Sequence, residues 1–470
     1  MTDDEGRMGA SFVLRHSSFV LAIIIAAYLG IGVLYAAKTP AWQVPDEPAH
    51  YNYVRFIAEG RGLPVLQPGD YDQAYLESIK GEKFPPSMPI DSIRYEFWQP
   101  PLYYLLASPI YLVTNGSLLA LRLFSVALGG FVVLFAFLIV RRLAPDSPAL
   151  ALGTAAFVAF VPQHVAMMAG AQNDSLAELL LALIVYQFSI FNFQFSTGKW
   201  VATGILLGLA LVTKGTIYIA APLTAVALWW VYRSQSLRDA KWLVKRGVLI
   251  FGPALVIAVP WWIRNIVVYG WPDFLVSIWH DAIVRGQPTP ADWIARFGLT
   301  GYLRDFAVTT FHSFWGQFGW MGVPMNERYY IALAIVSLAA FIGFVWFVNF
   351  KFQTLAPALR SGASAGVSNL KERSETTSLK FEIWHLIFVT WLLLSLAIYV
   401  WYNAKYVQFQ GRYLFPALVP IGLMFTIGLR QWTTLLPRVW RDAALAAPFV
   451  ALAALDLMAL FRMIVPMLSP

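Results

Sequence analysis

The sequence predicts an all-α polytopic membrane protein, and three observations carry that reading: composition, the lengths of the apolar runs, and where the basic residues fall. Of its 470 residues, 59% are hydrophobic and 16% aromatic, while 13% are charged. A soluble domain carries about 25% charged residues. Mean hydropathy is +0.61. Runs such as 19–37 and 331–350 approach the roughly 20 apolar residues that cross a bilayer core. The net charge of +8 is concentrated in short clusters, as expected of cytoplasmic loops under the positive-inside bias rather than of a nucleic-acid partner. There is no cysteine, which removes disulfides, thiolate metal sites and cysteine catalysis.

The first run, Phe19 to Ala37, is long and bulky at its end, with no small-residue cleavage site after Ala37. It reads as an uncleaved first span. Basic clusters at Arg7/Arg15, Arg141/Arg142, Lys199, Arg233 to Arg246, Lys351 to Lys380 and Arg430 to Arg441 mark the cytoplasmic side. With those inside, spans are predicted near 19–37, 118–140, 149–168, 175–194, 200–213, 216–232, 247–265, 329–350, 383–401, 414–429 and 443–465. That makes about eleven, with the N-terminus inside. The expected organisation is a transmembrane catalytic core over 1–430 and a C-terminal transmembrane helix within 431–470. Within the core, 38–117 and 266–328 form two long extracytoplasmic loops, and 353–380 is a polar, flexible cytoplasmic linker. No internal repeat is visible, which weighs against transporters built from duplicated halves.

The first outer loop opens with Pro45-Asp46-Glu47-Pro48-Ala49-His50-Tyr51. Pro48 is tolerated in a first helical turn, with Asp46 or Glu47 near the N-cap. Ala49, Tyr53, Phe56 and Ile57 then share one face, as in a helix lying in the interface plane. Capping is one explanation of the acidic pair. It needs a single carboxylate, however, and here two are followed by His50 one turn later. A carboxylate pair at the water–lipid boundary is costly to place, and the alternative to capping is chemistry. The loop ends in Tyr95-Glu96-Phe97-Trp98-Gln99-Pro100-Pro101-Leu102-Tyr103-Tyr104, where two prolines open an amphipathic stretch, too short to span, through Val113. It predicts a second interfacial helix.

An acidic residue near the start of the first outer loop, two juxtamembrane helices and the Gln99-Pro100-Pro101-Leu102-Tyr103-Tyr104 run resemble the GT-C superfamily. So do Asn173-Asp174-Ser175, Trp315-Gly316-Gln317-Phe318-Gly319-Trp320 and Gly411-Arg412-Tyr413-Leu414-Phe415-Pro416, which are similar to a family of uncharacterised bacterial membrane proteins within it. The resemblance runs over about residues 19–430. It implies an integral-membrane glycosyltransferase with a polyprenyl-phosphate sugar as donor, early spans as the common core, and an active site on the extracytoplasmic face of the cell membrane. It also implies a glycan, lipid or protein acceptor, with membrane lipids as surroundings. Asp46 falls where the family keeps its catalytic acidic residue.

The residues agree with that implication. A lipid-phosphate sugar already carries a good leaving group, so the chemistry needs one base for the acceptor's proton and cations for the departing phosphate. Asp46 is the expected base, with Glu47 as understudy and His50 orienting either. No glycosidic oxygen needs protonation, so a glycosidase-type acid pair is not required, and a single displacement inverts the anomeric carbon. Lys214 and Arg264 sit at predicted outer ends of spans, Arg412 opens a span, and Lys405 precedes it in an outer loop with Tyr402 and Tyr406. Together they form the expected phosphate cradle, with snorkelling towards lipid phosphates as the alternative for each. Glu96, Gln99, Tyr103, Asn173, Asp174, Tyr402, Tyr406 and Gln410 are the expected lining. Arg122 is expected to pair with an acid such as Glu96, and His164 to satisfy a neighbour between helices.

No cofactor is implied. Metal-using relatives present Asp-x-Asp or Glu-x-Asp, whereas Asp46 and Glu47 are adjacent and their side chains diverge. This disfavours a shared divalent ion without removing it. Two other classes remain open: a lipid-linked sugar transporter or flippase, and a non-catalytic assembly partner. The first calls for broken helices and ionisable residues near mid-membrane. The second would leave Asp46→Asn inert. A phosphotransferase, which would leave phosphate on the acceptor, is the enzymatic alternative.

Overall fold

The computed structural model describes residues 2–189, 196–234, 239–360 and 368–469. They form a helical protein with one minimal hairpin. The chain enters through α1 (Thr2–Lys38), whose part from Ser17 onwards is long and apolar enough to span. The first loop then folds as α2 (Glu47–Ala58), α3 (Gln73–Gly81) and α4 (Leu102–Val113). The second interfacial helix thus begins and ends where its prolines and apolar face predict. It buries Tyr103, Tyr104, Ala107 and Ser108, while Leu105, Leu106, Leu112 and Val113 stay exposed. The first departs from expectation. Ala49 and Tyr53, placed on a lipid-facing stripe by their spacing, are fully buried against protein as α2 packs on α4.

The central bundle comprises α5 (Leu118–Leu143), α6 (Pro148–Phe160), α7 (Pro162–Met168), α8 (Asp174–Ser189) and α9 (Thr197–Leu211). After a tight 3-10 turn at Gly215–Ile219 come α10 (Ala220–Ser234) and α11 (Ala240–Tyr269). α6 and α7 form an apolar pair bent by 64° at Val161-Pro162, a broken span or a re-entrant turn, where proline removes a backbone donor. α9 and α11 meet closely because a Cβ on Gly204 would collide with the Ile250 carbonyl, the small-residue contact that brings membrane helices together.

The second loop carries α12 (Ser277–Ile283), α13 (Pro290–Trp315) and the antiparallel pair β1 (Gln317–Phe318) and β2 (Val323–Pro324), with Gln317 opposite Pro324. The chain returns through α14 (Glu327–Arg360), α15 (Ser368–Lys405), a 3-10 turn at Gly411–Ala417, α16 (Leu418–Thr433) and α17 (Arg438–Ala459).

Within the described residues the expected spans fall on helices, residues 190–194 of the span expected at 175–194 lying outside them, and a count of eleven crossings is not confirmed. Among the described residues, eight helices are long and apolar enough to cross, or nine if the bent α6–α7 pair is one span. α9 has 15 residues, about 22 Å at 1.5 Å per residue, short of a hydrocarbon core of roughly 30 Å, and α8 is described as far as Ser189, the last residue before the undescribed 190–195. Hydropathy sees apolar runs, not their straight length. Of the linker expected at 353–380, residues 361–367 lie outside the described residues, and its flanks belong to α14 and α15.

Candidate active site

One cavity of about 280 Å³ opens where the first outer loop, the second outer loop and the ends of α8, α15 and the 411–417 turn converge. Asp46, His50, Glu96, Gln99, Asp174, Lys214, Tyr402, Lys405, Tyr406 and Arg412, all expected at the site, line it. Residues far apart in the chain, from Asp46 to Pro416, meet there.

Asp46 precedes α2 in the left-handed region at φ +68, a conformation uncommon for a non-glycine residue. Its side chain makes no capping bond, so capping does not explain the carboxylate. The turn aims it into the cavity instead, where Tyr95 OH donates to Oδ1 at 2.8 Å and Arg412 Nη2 to Oδ2 at 2.8 Å. Burial alone would raise this carboxyl, but the charge of Arg412 and the hydrogen bonds from Arg412 and Tyr95 hold it below the usual carboxylate range.

Glu47, one residue on, has the opposite fate. It is fully buried, outside the cavity, and receives Arg122 in a two-pronged ion pair at 2.7 and 2.6 Å. The Trp42 and Ala171 amides complete its hydrogen bonds. The expectation of Glu47 as a second site carboxylate is therefore corrected: all of its lone pairs are committed to holding the α1–α2 corner against α5. Arg122, expected to pair with Glu96, is taken by Glu47 and by the Ala36, Thr39 and Pro40 carbonyls.

His50 lies one turn into α2, with Nδ1 2.8 Å from Tyr104 OH. Burial, reinforced by the Lys214 charge, pushes its imidazole down to about 3, so it is neutral. Glu96 faces the same space; burial and then the Asp46 charge push it up to about 7, and its Oε2 has no hydrogen-bond partner.

The cations arrive in different states. Arg412 is fixed by its backbone: Gly411 N–H donates to Ser313 Oγ at 2.7 Å, and a Cβ on Gly411 would collide with the Thr310 carbonyl and Phe314. Its Nε donates to Gln410 at 2.6 Å, while Nη1 meets only the Met167 sulfur, at 3.8 Å. Lys214 pairs with Asp174 at 2.7 Å. Lys405 pairs with Asp281, which also accepts from Tyr406 at 2.8 Å. Asp281 tends upward through burial, but bonds from His280, Lys405 and Tyr406 bring it down to about 2.

Arg264 does not join them. Its guanidinium lies over Trp261 and Tyr269 at 4.9 and 5.5 Å and bonds the Pro64 carbonyl, outside the cavity lining. Gln410, Tyr103 and Asn173 stand behind the lining: Gln410 holds Arg412, Tyr103 bonds Ser125, and Asn173 donates to the Thr213 carbonyl at 3.3 Å. His164 bridges the Val158 carbonyl and Glu178, as expected of a residue between helices. Sequence reasoning missed Tyr95 as the partner of Asp46, and the pairing of Asp281 with Lys405, which ties the two outer segments together. Asp281 is marked in the sequence, where His280-Asp281 of the 266–328 loop reads as able to line an acceptor groove, but its partner is not. Among the described residues, no group of three or more His, Asp or Glu side chains is arranged to hold a metal ion.

Residues 98–263 match the family model described as dolichyl-phosphate-mannose-protein mannosyltransferase. An uncharacterised protein of Aquifex aeolicus (strain VF5) is 28% identical over 224 residues, 47% of this chain and 49% of that protein. The chain thus spans about half the length of the curated relative it matches. Among solved structures, apo ArnT from Cupriavidus metallidurans superposes with TM-score 0.50 at 14% identity, over 96% of this chain and 74% of ArnT. ArnT bound to undecaprenyl phosphate gives 0.49 at 14% identity, over 95% and 73%. The Archaeoglobus fulgidus oligosaccharyltransferase tethered with an acceptor peptide gives 0.49 at 13%, over 96% and 54%. The GT-C resemblance read from the sequence is borne out: the fold is shared, and the matched family is one of glycosyltransferases.

Proposed function

We propose that this GT-C chain moves a sugar from a polyprenyl-phosphate donor to an acceptor at the extracytoplasmic face of the cell membrane, with inversion and with Asp46 as the base. The observation that carries the reading is a single cavity lined by three cations, Arg412, Lys214 and Lys405, each paired with a carboxylate, with Asp46 held by Arg412. The family match supports a phosphate-linked sugar as donor. The sidedness rests on the charge clusters, which put every one of these cation-bearing ends opposite the basic loops.

The chemistry follows from the arrangement. The acceptor hydroxyl gives its proton to the Asp46 carboxylate as its oxygen attacks the anomeric carbon. The bond from that carbon to the phosphate oxygen breaks, and its electron pair leaves with the phosphate. Arg412 and Lys214 receive the growing negative charge, Arg412 through a fork suited to two phosphate oxygens. Tyr95 is a positioning residue that fixes the carboxylate's direction. Attack opposite the leaving group inverts the centre.

The deciding experiment supplies membranes containing the full chain with a polyprenyl-phosphate sugar labelled in the sugar. Asp46→Asn is preferred to alanine because asparagine tolerates the left-handed backbone. We expect transfer from the lipid fraction to fall by about 10²-fold or more while lipid-phosphate binding persists. Equal transfer by both proteins would remove Asp46 as base.

A second reading has two observations in its favour. The bent α6–α7 helices and the buried His164–Glu178 pair beside them are features expected of a carrier. Movement of labelled lipid across sealed vesicles without sugar transfer would establish that reading instead.

A further inference from the structure

Each of the three cavity cations holds a carboxylate: Arg412 holds Asp46, Lys214 holds Asp174, and Lys405 holds Asp281. An arriving phosphate therefore competes with a carboxylate wherever it lands. For Arg412 the competitor is the proposed base itself. The guanidinium has one terminal nitrogen, Nη2, on Asp46, and the other, Nη1, on nothing stronger than a thioether. A phosphate using both nitrogens of that edge brings a second anion against the nitrogen that holds Asp46, and the two anions compete for it.

We propose that the donor phosphate and Asp46 exchange places on Arg412, so that Asp46 is released to act as a base only once the donor is seated. This rests on the reading of the site as a polyprenyl-phosphate sugar transferase and adds an order to it: donor first, acceptor deprotonation second. Asp46 is neutralised by a 2.8 Å ion pair with a side chain that is 9% exposed. A carboxylate so held is a poor proton acceptor. When the phosphate draws Nη2 away, Asp46 keeps only the Tyr95 hydroxyl and the neutral His50 nearby, and its affinity for a proton rises where the acceptor's hydroxyl must lie. Gln410 retains Nε throughout, so the guanidinium changes partners without leaving its place. No covalent step belongs to the exchange; one ion pair is traded for another.

The test is a double-mutant cycle on binding of a polyprenyl phosphate that carries no sugar, measured with the purified full chain. Exchange predicts that Asp46→Asn tightens binding by roughly tenfold, the scale of one charge-assisted hydrogen bond. It also predicts that this gain disappears in an Arg412→Gln background, because no guanidinium remains to be contested. Arg412→Lys, which keeps the charge and loses the fork, serves if the glutamine variant does not fold, and should retain only part of the gain. An equal gain in all backgrounds would mean simple charge repulsion and would overturn the exchange while leaving the donor reading intact. No binding of the lipid phosphate by the wild-type chain would overturn both.

Discussion

Glu47 and Arg122 form a buried, two-pronged ion pair, 2.6 Å at its shorter contact, immediately beside the carboxylate that faces the cavity. Two adjacent acids thus serve different ends, because the left-handed turn at Asp46 sends their side chains in different directions. Removing one partner of such a pair strands a buried charge, at about 3–5 kcal/mol. Glu47→Ala and Arg122→Ala should each lower the unfolding midpoint sharply in detergent, and Glu47→Leu with Arg122→Leu should recover much of the loss. A Glu47→Ala protein with unchanged thermal stability and lost transfer would place Glu47 in the chemistry instead.

Glu96 makes donor affinity depend on pH. Burial and Asp46 raise its carboxyl to about 7, so it is neutral below that value and negative above it, within the cavity proposed to take a phosphate. The ratio of wild-type to Glu96→Gln dissociation constants for polyprenyl phosphate should sit near unity at pH 5.5 and rise about five- to tenfold by pH 8.5. Comparing the two proteins cancels the phosphate's own titration. A ratio flat with pH would show Glu96 charged, or remote from the phosphate, throughout.

His50 acts on stability in the acid range. Its folded value, about 3, lies below that of an unfolded histidine, near 6.5. Its contribution is therefore complete above 6.5 and declines as pH falls from there towards 3, by roughly 2 kcal/mol at pH 5. His50→Gln keeps a hydrogen-bonding group for Tyr104 and does not titrate. Between pH 7 and 5 its unfolding midpoint should fall less than the wild type's; parallel curves would mean that His50 is protonated in the folded protein.

How much of this was legible beforehand follows from what helical sequence encodes. Hydropathy and prolines located the helices, down to both ends of α4, and the positive-inside bias put Asp46, Lys214, Lys405 and Arg412 at one level. Height along a helix is thus readable; direction around it is less so. Arg264 stands at the expected outer end of α11 but on the face occupied by Trp261 and Tyr269. The split between Asp46 and Glu47 was hidden because it depends on one positive φ, and the pairing of Asp281 with Lys405 because it joins residues 124 apart.

Lys214 and Arg264 were equivalent as outer-end cations in the sequence and are not equivalent in space, which gives a direct comparison. Lys214 lines the cavity, and its partner Asp174 is itself part of the wall, so its ammonium can turn to a phosphate without being stranded. Arg264 is held by two aromatic rings and the Pro64 carbonyl, and its role is to pin the first loop to α11. Lys214→Met should therefore weaken polyprenyl-phosphate binding by about 10- to 100-fold, the range of a charge-assisted hydrogen bond. Arg264→Met should leave the dissociation constant within about twofold and instead increase hydrogen exchange in residues 59–69, because the loop loses its tether. If both substitutions weaken binding equally, the cradle extends further than the cavity lining, and the aromatic stacking of Arg264 must break when lipid arrives.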